Sequence, residues 1–555
     1  MATEQVVTPT RPADVGLKRE VGLIGATWSS VGSLIGSGWL FGSLFAAQAA
    51  GGAAVISWGI ATVAVILLAL CYSEIGAMYP VAGGTGRFPH FAFGSVAGIS
   101  FGFFSWLQAV VVAPVECYAV LQYGSHFWPA VYNAKTSNIT GTGFAVTIAL
   151  MAVFTLINFL AIKWVAHTNS GLTWWKIAIP VLIIVLLFTK FHGSNFSAGG
   201  GGFAPSGARG VLSAISTAGV MFALLGFEQA DQLAGEIKNP QKNLPRAIIG
   251  ALLIAAAIYV LLQIVFIGAL PPSQVAHGLA NINDAAIIAG PFAGLAGLVG
   301  LGWLALIVRI DAFISPFGTG LIYLTSTSRV SYGVARNRYF PSIFTRTDRR
   351  GVPWFALLTS FLLGIVFLLP FPSWHSLVKL IVSASVLMYA GAPLALGAFR
   401  RQVPDTPRPY RLGGAVVIAP VAFIIANLII YWSGWDTLWR LGICIVIGYV
   451  LIGIGMAFDK KRPVLNWKAA SWLPVYLVVM GLISWQGAYC SAGPASSTKC
   501  GAQNHITFLS PWGDLIIVAI FSLIIYYWAM ATRLPREEML KAVGQQSAEP
   551  EAAAG

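Results

Sequence analysis

Hydrophobic positions along this 555-residue chain come in long blocks, not in the alternating or one-faced patterns of water-soluble elements. Val55 to Cys71, Ile177 to Phe188 and Leu515 to Trp528 each run without a charged residue. A helix crosses the hydrocarbon core of a bilayer with about 20 mostly apolar residues, so such blocks predict transmembrane helices. Hydropathy marks fourteen candidate spans, at 21–48, 53–78, 96–124, 142–163, 170–189, 209–233, 246–269, 293–328, 353–370, 374–399, 414–433, 437–458, 470–489 and 512–531. The expected fold is an all-α integral membrane protein.

Two blocks are interrupted midway. The first reads Gly32-Ser33-Leu34-Ile35-Gly36-Ser37-Gly38, and the sixth reads Phe222-Ala223-Leu224-Leu225-Gly226-Phe227-Glu228. Each glycine weakens a helix by roughly 1 kcal/mol relative to alanine, so these runs invite unwinding. Unwound backbone at membrane depth is tolerated only against protein or a wet cavity. Small residues at Gly32 and Gly36 also suit simple close packing of helices. Two breaks separated by five spans favour a binding site between inverted repeats, spans 1–5 and 6–10, with four further helices after them.

Composition agrees with lipid as the solvent. The chain is 57% hydrophobic and 9% charged, with a mean hydropathy of +0.77. Soluble domains are about a quarter charged. The net charge of +14 would fit a nucleic-acid surface, but its placement does not. With a cytoplasmic N-terminus, 25 of the 33 Lys and Arg fall on the cytoplasmic side. Lys135, Lys190, Arg209, Arg440 and Lys499 fall outside, and Lys176, Arg309 and Lys379 lie within spans. This is the positive-inside asymmetry. It predicts a cell-membrane protein with both termini cytoplasmic and no nucleic-acid partner.

The organisation follows: tail 1–20, repeat core 21–400, spans 11–14 within 401–532, and tail 533–555. Both tails read as disordered, and no cleavable leader is expected. The segment 190–208, with Gly199 to Gly202, reads as a flexible external loop. Trp128, Trp354, Trp374, Trp432, Trp435 and Trp512 at span ends suit anchoring at the membrane interface. Cys71, Cys117 and Cys444 read as packing residues. Cys490 and Cys500 share the last external loop, where either a disulfide or free thiols fit. No spacing indicates a metal or cofactor, and no nucleophile, base and orienter come together. An enzyme is not expected.

Several stretches together resemble the amino acid–polyamine–organocation transporter superfamily. They are Gly32 to Gly38; Tyr72-Ser73-Glu74-Ile75-Gly76-Ala77-Met78-Tyr79-Pro80 with Gly83-Gly84; and Gly226-Phe227-Glu228 through Glu236-Ile237-Lys238-Asn239-Pro240 to Leu244-Pro245-Arg246-Ala247. Ser328-Arg329 with Ala335-Arg336-Asn337 and Pro341 completes the set. At finer grain, Asp311-Ala312-Phe313-Ile314-Ser315-Pro316 and Phe371 to Tyr410 are similar to the bacterial aspartate–proton symporter branch. The resemblance covers about residues 20–400.

The resemblance implies a site for a zwitterion. The amides of Ser37 and Gly38 would hold the carboxylate, beside Gly36 and with the Ser33 hydroxyl one turn earlier. Free amides at the start of a half-helix carry a dipole that favours an anion. The carbonyls of Leu34, Phe222 and Leu225 would take the ammonium, near Ala223 and Gly226, and Phe222 would close over the substrate. On residues alone, Phe222 equally fits a packed core aromatic.

Ionisable residues inside spans are functional candidates, because each is costly in the bilayer. Lys176 resembles the fifth-span lysine that replaces a sodium ion in proton-coupled members, which implies a proton-coupling role. Snorkelling to the interface is its plain alternative. Asp311 and Ser315, spaced i,i+4, share one face of the eighth span. Ser315 resembles a position facing the cation region, so Asp311 would approach Lys176 as ion-pair partner or proton carrier. A structural pair of Asp311 with Arg309 or with another helix is the rival. Glu116 fits a protonated packing residue, a substrate contact or a relay. Glu228 resembles a family glutamate tied to gating, and a helix cap fits it as well. Glu74, Glu236 and Lys238 read as charges of the cytoplasmic ends. The expected activity is proton-coupled amino acid symport by alternating access. Sodium coupling, exchange of amino acids or amines, and a transporter-like sensor are the alternatives.

Overall fold

The computed structural model describes residues 21–81, 83–133, 136–160, 162–199, 201–348, 352–371, 373–458, 463–489 and 512–548. Cys490 and Cys500 lie outside the described residues, as does tail 1–20.

The first block folds as two helices, α1 (Leu23–Leu34) and α2 (Gly38–Ala50), and the second as α3 (Ala54–Met78). A short helix, α4 (Gly84–Phe93), precedes α5 (Ser95–Gly124). A small hairpin, β1 (Tyr132–Asn133) and β2 (Asn138–Ile139), leads into α6 (Gly141–Leu160) and α7 (Ile162–Phe188). The sixth block divides into α8 (Gly207–Thr217), α9 (Val220–Ala223) and α10 (Gln229–Gln232), followed by α11 (Pro240–Gly268). After α12 (Pro272–Val275), α13 (Ala285–Ala289) and α14 (Pro291–Leu298) comes α15 (Gly302–Arg336). The rest are α16 (Trp354–Leu368), α17 (Trp374–Tyr389), α18 (Gly391–Gln402), α19 (Ala415–Trp432), α20 (Trp435–Phe458), α21 (Trp472–Gln486), α22 (Gly513–Thr532) and α23 (Arg536–Ala548).

Among the described residues, ten helical stretches are long and apolar enough to cross a membrane, with α2 and α3 counted together. The other expected spans are the two broken ones and the 15-residue helices α16 and α21. Outward faces carry apolar stripes at helical spacing. Val153, Leu156 and Leu160 line one on α6, and Ile443, Val446, Ile447, Val450, Leu451 and Ile454 line another on α20. Exposed apolar surface on this scale needs lipid, not water, against it. By contrast α5 is buried on every side, packed against α4, α15 and α17.

The two broken spans cross at their breaks. The chain leaves α1 at Ile35 (φ −86°, ψ 80°) and re-enters helix at Gly38. A side chain at Gly38 would put its Cβ 2.7 Å from the Ala223 Cα, and one at Gly226 would come 2.9 Å from the Ser33 Cβ. Ser33 therefore faces Gly226 while Gly38 faces Ala223, so the segments run in opposite directions. Gly226 has φ +118°, a backbone region open to glycine and strained for other residues. The outer ends are tied as well: Val21 N donates to Glu236 O (3.0 Å) and Lys238 N to Val21 O (2.7 Å).

Four expectations are corrected. The sixth span has an additional interruption at Ala218–Gly219, where Gly219 has φ +85° and its Cα faces the Trp374 ring. The eighth span begins at Gly302 and not at 293; α14 is a separate helix, turned off by Gly300 at φ +82°. The 190–208 segment is packed where it is described, because buried Asn195 donates to the carbonyls of Ile267, Gly268 and Leu270 at 2.9–3.1 Å. The C-terminal tail holds α23, docked on α4 with Met539 buried, and Leu534 N donates to Ala92 O.

Candidate functional site

Ser33, Leu34, Gly36, Gly38, Val112, Glu116, Phe222, Leu225, Thr319 and Tyr323 line a cavity at the crossing of the breaks. Its free volume is about 10 Å³, at the lower limit of what one water molecule requires. The site is closed in this conformation.

Four of the groups expected to grip a zwitterion, the Ser37 amide, the Ser33 hydroxyl and the Leu34 and Phe222 carbonyls, are already partnered inside the protein. The Ser37 amide donates to Glu116 Oε2 at 2.9 Å. Glu116 Oε1 has no partner, and a Cβ at Gly36 would lie 2.7 Å from it. A side-chain carboxylate thus occupies the start of α2, where the helix dipole favours an anion. The Leu34 carbonyl accepts from Tyr259 Oη at 2.7 Å, and the Phe222 carbonyl accepts from the Leu225 amide. The Ser33 hydroxyl turns back to the Ser29 carbonyl at 2.8 Å. Phe222 meets the Trp374 ring edge-on, with centroids 5.6 Å apart.

Lys176 is 1% exposed and does not snorkel. Its Nζ donates to the Gly32 carbonyl and to Thr319 Oγ1, both at 2.8 Å. Thr319 Oγ1 also reaches the carbonyls of Gly32 (3.2 Å) and Ile35 (3.4 Å). The ammonium is therefore fixed to the last turn of α1 and the break after it. Asp311 does not take Lys176 as a hydrogen-bonded partner. Its Oδ1 accepts from Trp175 Nε1 and Ser315 Oγ, each at 2.8 Å, while Oδ2 is unpartnered. Of the rival structural pairings, the one with Arg309 is absent among the described residues, whereas the Trp175 bond comes from another helix, α7. Glu228 does not cap α10; Oε2 accepts from the Gly226 amide (2.9 Å) and Tyr389 Oη (2.5 Å), folding back across the break.

Sequence reasoning missed Trp374, Thr319, Tyr259 and Tyr389. Trp374 was expected at the membrane interface, but it is buried and its Nε1 donates to Ser37 Oγ at 2.8 Å. Trp432 is also buried, whereas Trp128 and Trp512 are exposed as anchoring would have them. Thr319 carried a usable signal, four residues beyond Ser315 and eight beyond Asp311 on one helical face. A second cavity, of about 210 Å³, is lined by Ser373 and His375 on either side of Trp374 in the chain, and by Lys379, Asp436 and Arg440 among others. At the opposite end, buried Glu74 is held by Arg400 (2.6 Å), Arg408 (3.1 Å) and the Leu412 amide (2.8 Å). Arg329 pairs with Glu236 there at 3.1 Å. No group of three or more His, Cys, Asp or Glu able to hold a metal occurs among the described residues.

Two helices broken at a shared closed polar cavity, inside a lipid-facing bundle, define a multi-pass membrane carrier. The model of the amino acid permease family matches residues 21–447, and the chain belongs to that family, in the aspartate–proton symporter-like branch of the superfamily. It is 39% identical over 552 residues to the glutamate/serine transporter AimA of Bacillus subtilis (strain 168), covering 97% of this chain and 99% of that one. It is 36% identical over 510 residues to the aspartate-proton symporter of the same organism, covering 91% and 95%. It is 27% identical over 470 residues to that organism's branched-chain amino acid permease BcaP, covering 81% and 95%. The protein is an amino acid transporter.

Proposed function

We propose that the chain carries a small amino acid together with protons across the cell membrane, by alternating access to the cavity between the two breaks. The single observation that supports this reading most is the contact of Glu116 with the Ser37 amide, a carboxylate held where a substrate carboxylate would sit. Binding would free the Ser37 and Gly38 amides for substrate, with Gly36 giving room and Phe222 closing above. The carbonyls near Leu34, Ala223, Leu225 and Gly226 would face the ammonium. Lys176, with Ser315 and Asp311 beyond it on α15, is the coupling group, because its ammonium is bonded to the backbone that must move. Glu116 and Glu228 are the carboxyls that answer to the occupant. Protons are preferred to sodium because Lys176 already supplies a fixed cation beside the first break. Glutamate, serine and aspartate, named for the two relatives of highest identity quoted above, are the first substrates to test.

In this reading residues 21–400 are the transport core, spans 11–14 flank it, and both termini face the cytoplasm, where the arginine-rich loops lie. The test is uptake of labelled amino acids into proteoliposomes. Accumulation driven by an inward proton gradient, abolished by a protonophore, is expected. Transport that occurs only against amino acid preloaded on the other side would replace symport by exchange.

A further inference from the structure

Beyond the cavity, the second half of the sixth span holds a carboxyl with no bonding partner. Asp231 is fully buried, and neither Oδ1 nor Oδ2 has a hydrogen-bond donor. It sits three residues past Glu228, about 4.5 Å further along the helix toward the end where Glu236 pairs with Arg329. Its niche exists because residue 76 is glycine: a Cβ there would fall 2.1 Å from Asp231 Oδ1 and 2.9 Å from Leu244 Cδ2. The surrounding polar atoms are also incompletely bonded. Glu228 Oε1, Gln229 Nε2 and Gln232 Oε1 are buried without partners.

Among the described residues, no cation is hydrogen-bonded or ion-paired to this group. On its own segment the neighbouring charge is Glu228, of the same sign. From α3 come Tyr72, bonded to the Met388 carbonyl, and Glu74, ion-paired with Arg400 and Arg408. On α11, Lys242 and Arg246 are exposed. On α15, Arg329 is paired with Glu236, and Tyr323 lies toward Glu228. Arg87 is the cation of α4, and α1 brings hydroxyls and no charge. An apolar residue would fill this niche at lower cost than a carboxyl without donors. An ionised carboxylate is far more costly there, so a proton on one oxygen is what lets the side chain stay.

We infer that Asp231 is a proton-binding site of the transport cycle, distinct from Lys176 and the central cavity. In the closed state the carboxyl is loaded, as COOH, in the niche against Gly76. When α10 separates from α3 and α11, water reaches the carboxyl, the O–H bond breaks, and the proton passes to water on the arginine-rich side. The unpartnered Gln229, Gln232 and Glu228 atoms line the same opening and gain their missing bonds from that water. The transport part of this inference rests on the proton-coupled reading above; the protonation part does not.

Infrared spectroscopy of the purified full chain tests it directly. Wild-type protein is expected to show the carbonyl stretch of a buried protonated carboxyl that Asp231→Asn loses and Asp231→Glu retains at shifted frequency. In proteoliposomes, Asp231→Asn is expected to lose proton-gradient-driven accumulation while keeping amino acid counterflow, and Asp231→Glu to restore accumulation. An unchanged carbonyl spectrum in Asp231→Asn, or unchanged gradient-driven accumulation, overturns the inference. Should Asp231→Asn not fold, the Asp311→Asn protein with heavy-carbon aspartate carboxyls must show an isotope-shifted protonated band; its absence overturns the inference equally. If wild-type protein moves no amino acid at all, the transport reading fails while the infrared result still decides the protonation state of Asp231.

Discussion

Glu116 Oε2 accepts the Ser37 amide hydrogen at 2.9 Å, so a side chain of α5 plugs the start of α2 across the first break. A substrate carboxylate arriving at that amide must displace Glu116 and then lie beside it. Two carboxylates in one closed site repel unless one is protonated. Glu116→Gln removes that charge while keeping an acceptor for the amide. Substrate binding, followed by calorimetry in buffers of different ionisation enthalpy, is expected to take up a proton in wild type and none in Glu116→Gln. Equal proton uptake in both would remove Glu116 from coupling.

Lys176 is bonded to the Gly32 carbonyl and to Thr319, and that carbonyl keeps a Thr319 contact at 3.2 Å when the lysine is gone. Lys176→Ala is therefore expected to fold and to retain part of its substrate binding. It should lose accumulation driven by a pH gradient. Uptake by the variant under matched gradients is the check, and wild-type proton dependence would exclude the lysine.

Trp374→Phe keeps a ring against Phe222 but deletes the bond to Ser37 Oγ. One neutral hydrogen bond contributes about 1 kcal/mol, which corresponds to about a fivefold weaker apparent affinity. Concentration dependence of uptake measures it. The maximal rate should change less than the affinity.

Glu74→Gln leaves the Arg400 and Arg408 guanidinium groups facing a neutral amide at a site where the glutamate is 1% exposed. Removing one partner of a buried ion pair costs about 3–5 kcal/mol. A clear drop in melting temperature of the purified protein is expected, with release of the segment before α19.

His90, on α4 outside the membrane-spanning helices, is bonded to Tyr339 Oη at 2.6 Å, and burial pushes its pKa from 6.5 down to about 4. Between these values the unfolded chain binds the proton and the folded chain does not, so stability rises with pH through this window. The His90 contribution is complete above about pH 6.5 and is lost as pH falls toward 4. Thermal unfolding across that range should show a shallower slope for His90→Gln than for wild type.

The broken spans were legible because glycine spacing and membrane thickness are local properties of the chain. The resemblance marked Lys176 as a residue of the cation region, but its bonds to the Gly32 carbonyl and Thr319, 144 and 143 residues away, were not legible in the local sequence. Trp374 was misread because a tryptophan at a span end has the same local pattern whether it meets lipid headgroups or turns inward. Only the packing of α17 against α2 and α9 tells the two apart. Ser37 was legible as an amide donor, but Glu116 as its acceptor was not, since 79 residues separate them. The docked C-terminal helix has a polar composition, and only α4 beside it explains why Met539 is covered.

Val21 is stitched across Ile237 by main-chain bonds, its amide to the Glu236 carbonyl and its carbonyl to the Lys238 amide. The entrance to the first span and the exit from the sixth therefore travel together, and substitutions at these positions leave the stitch largely in place. Under the alternating access proposed above, tilting one broken helix would drag the other, and the pair would rock as a single lever. The fulcrum then lies in the helices around that lever, and resistance to rocking is set by what α5, α15 and α17 hold on to.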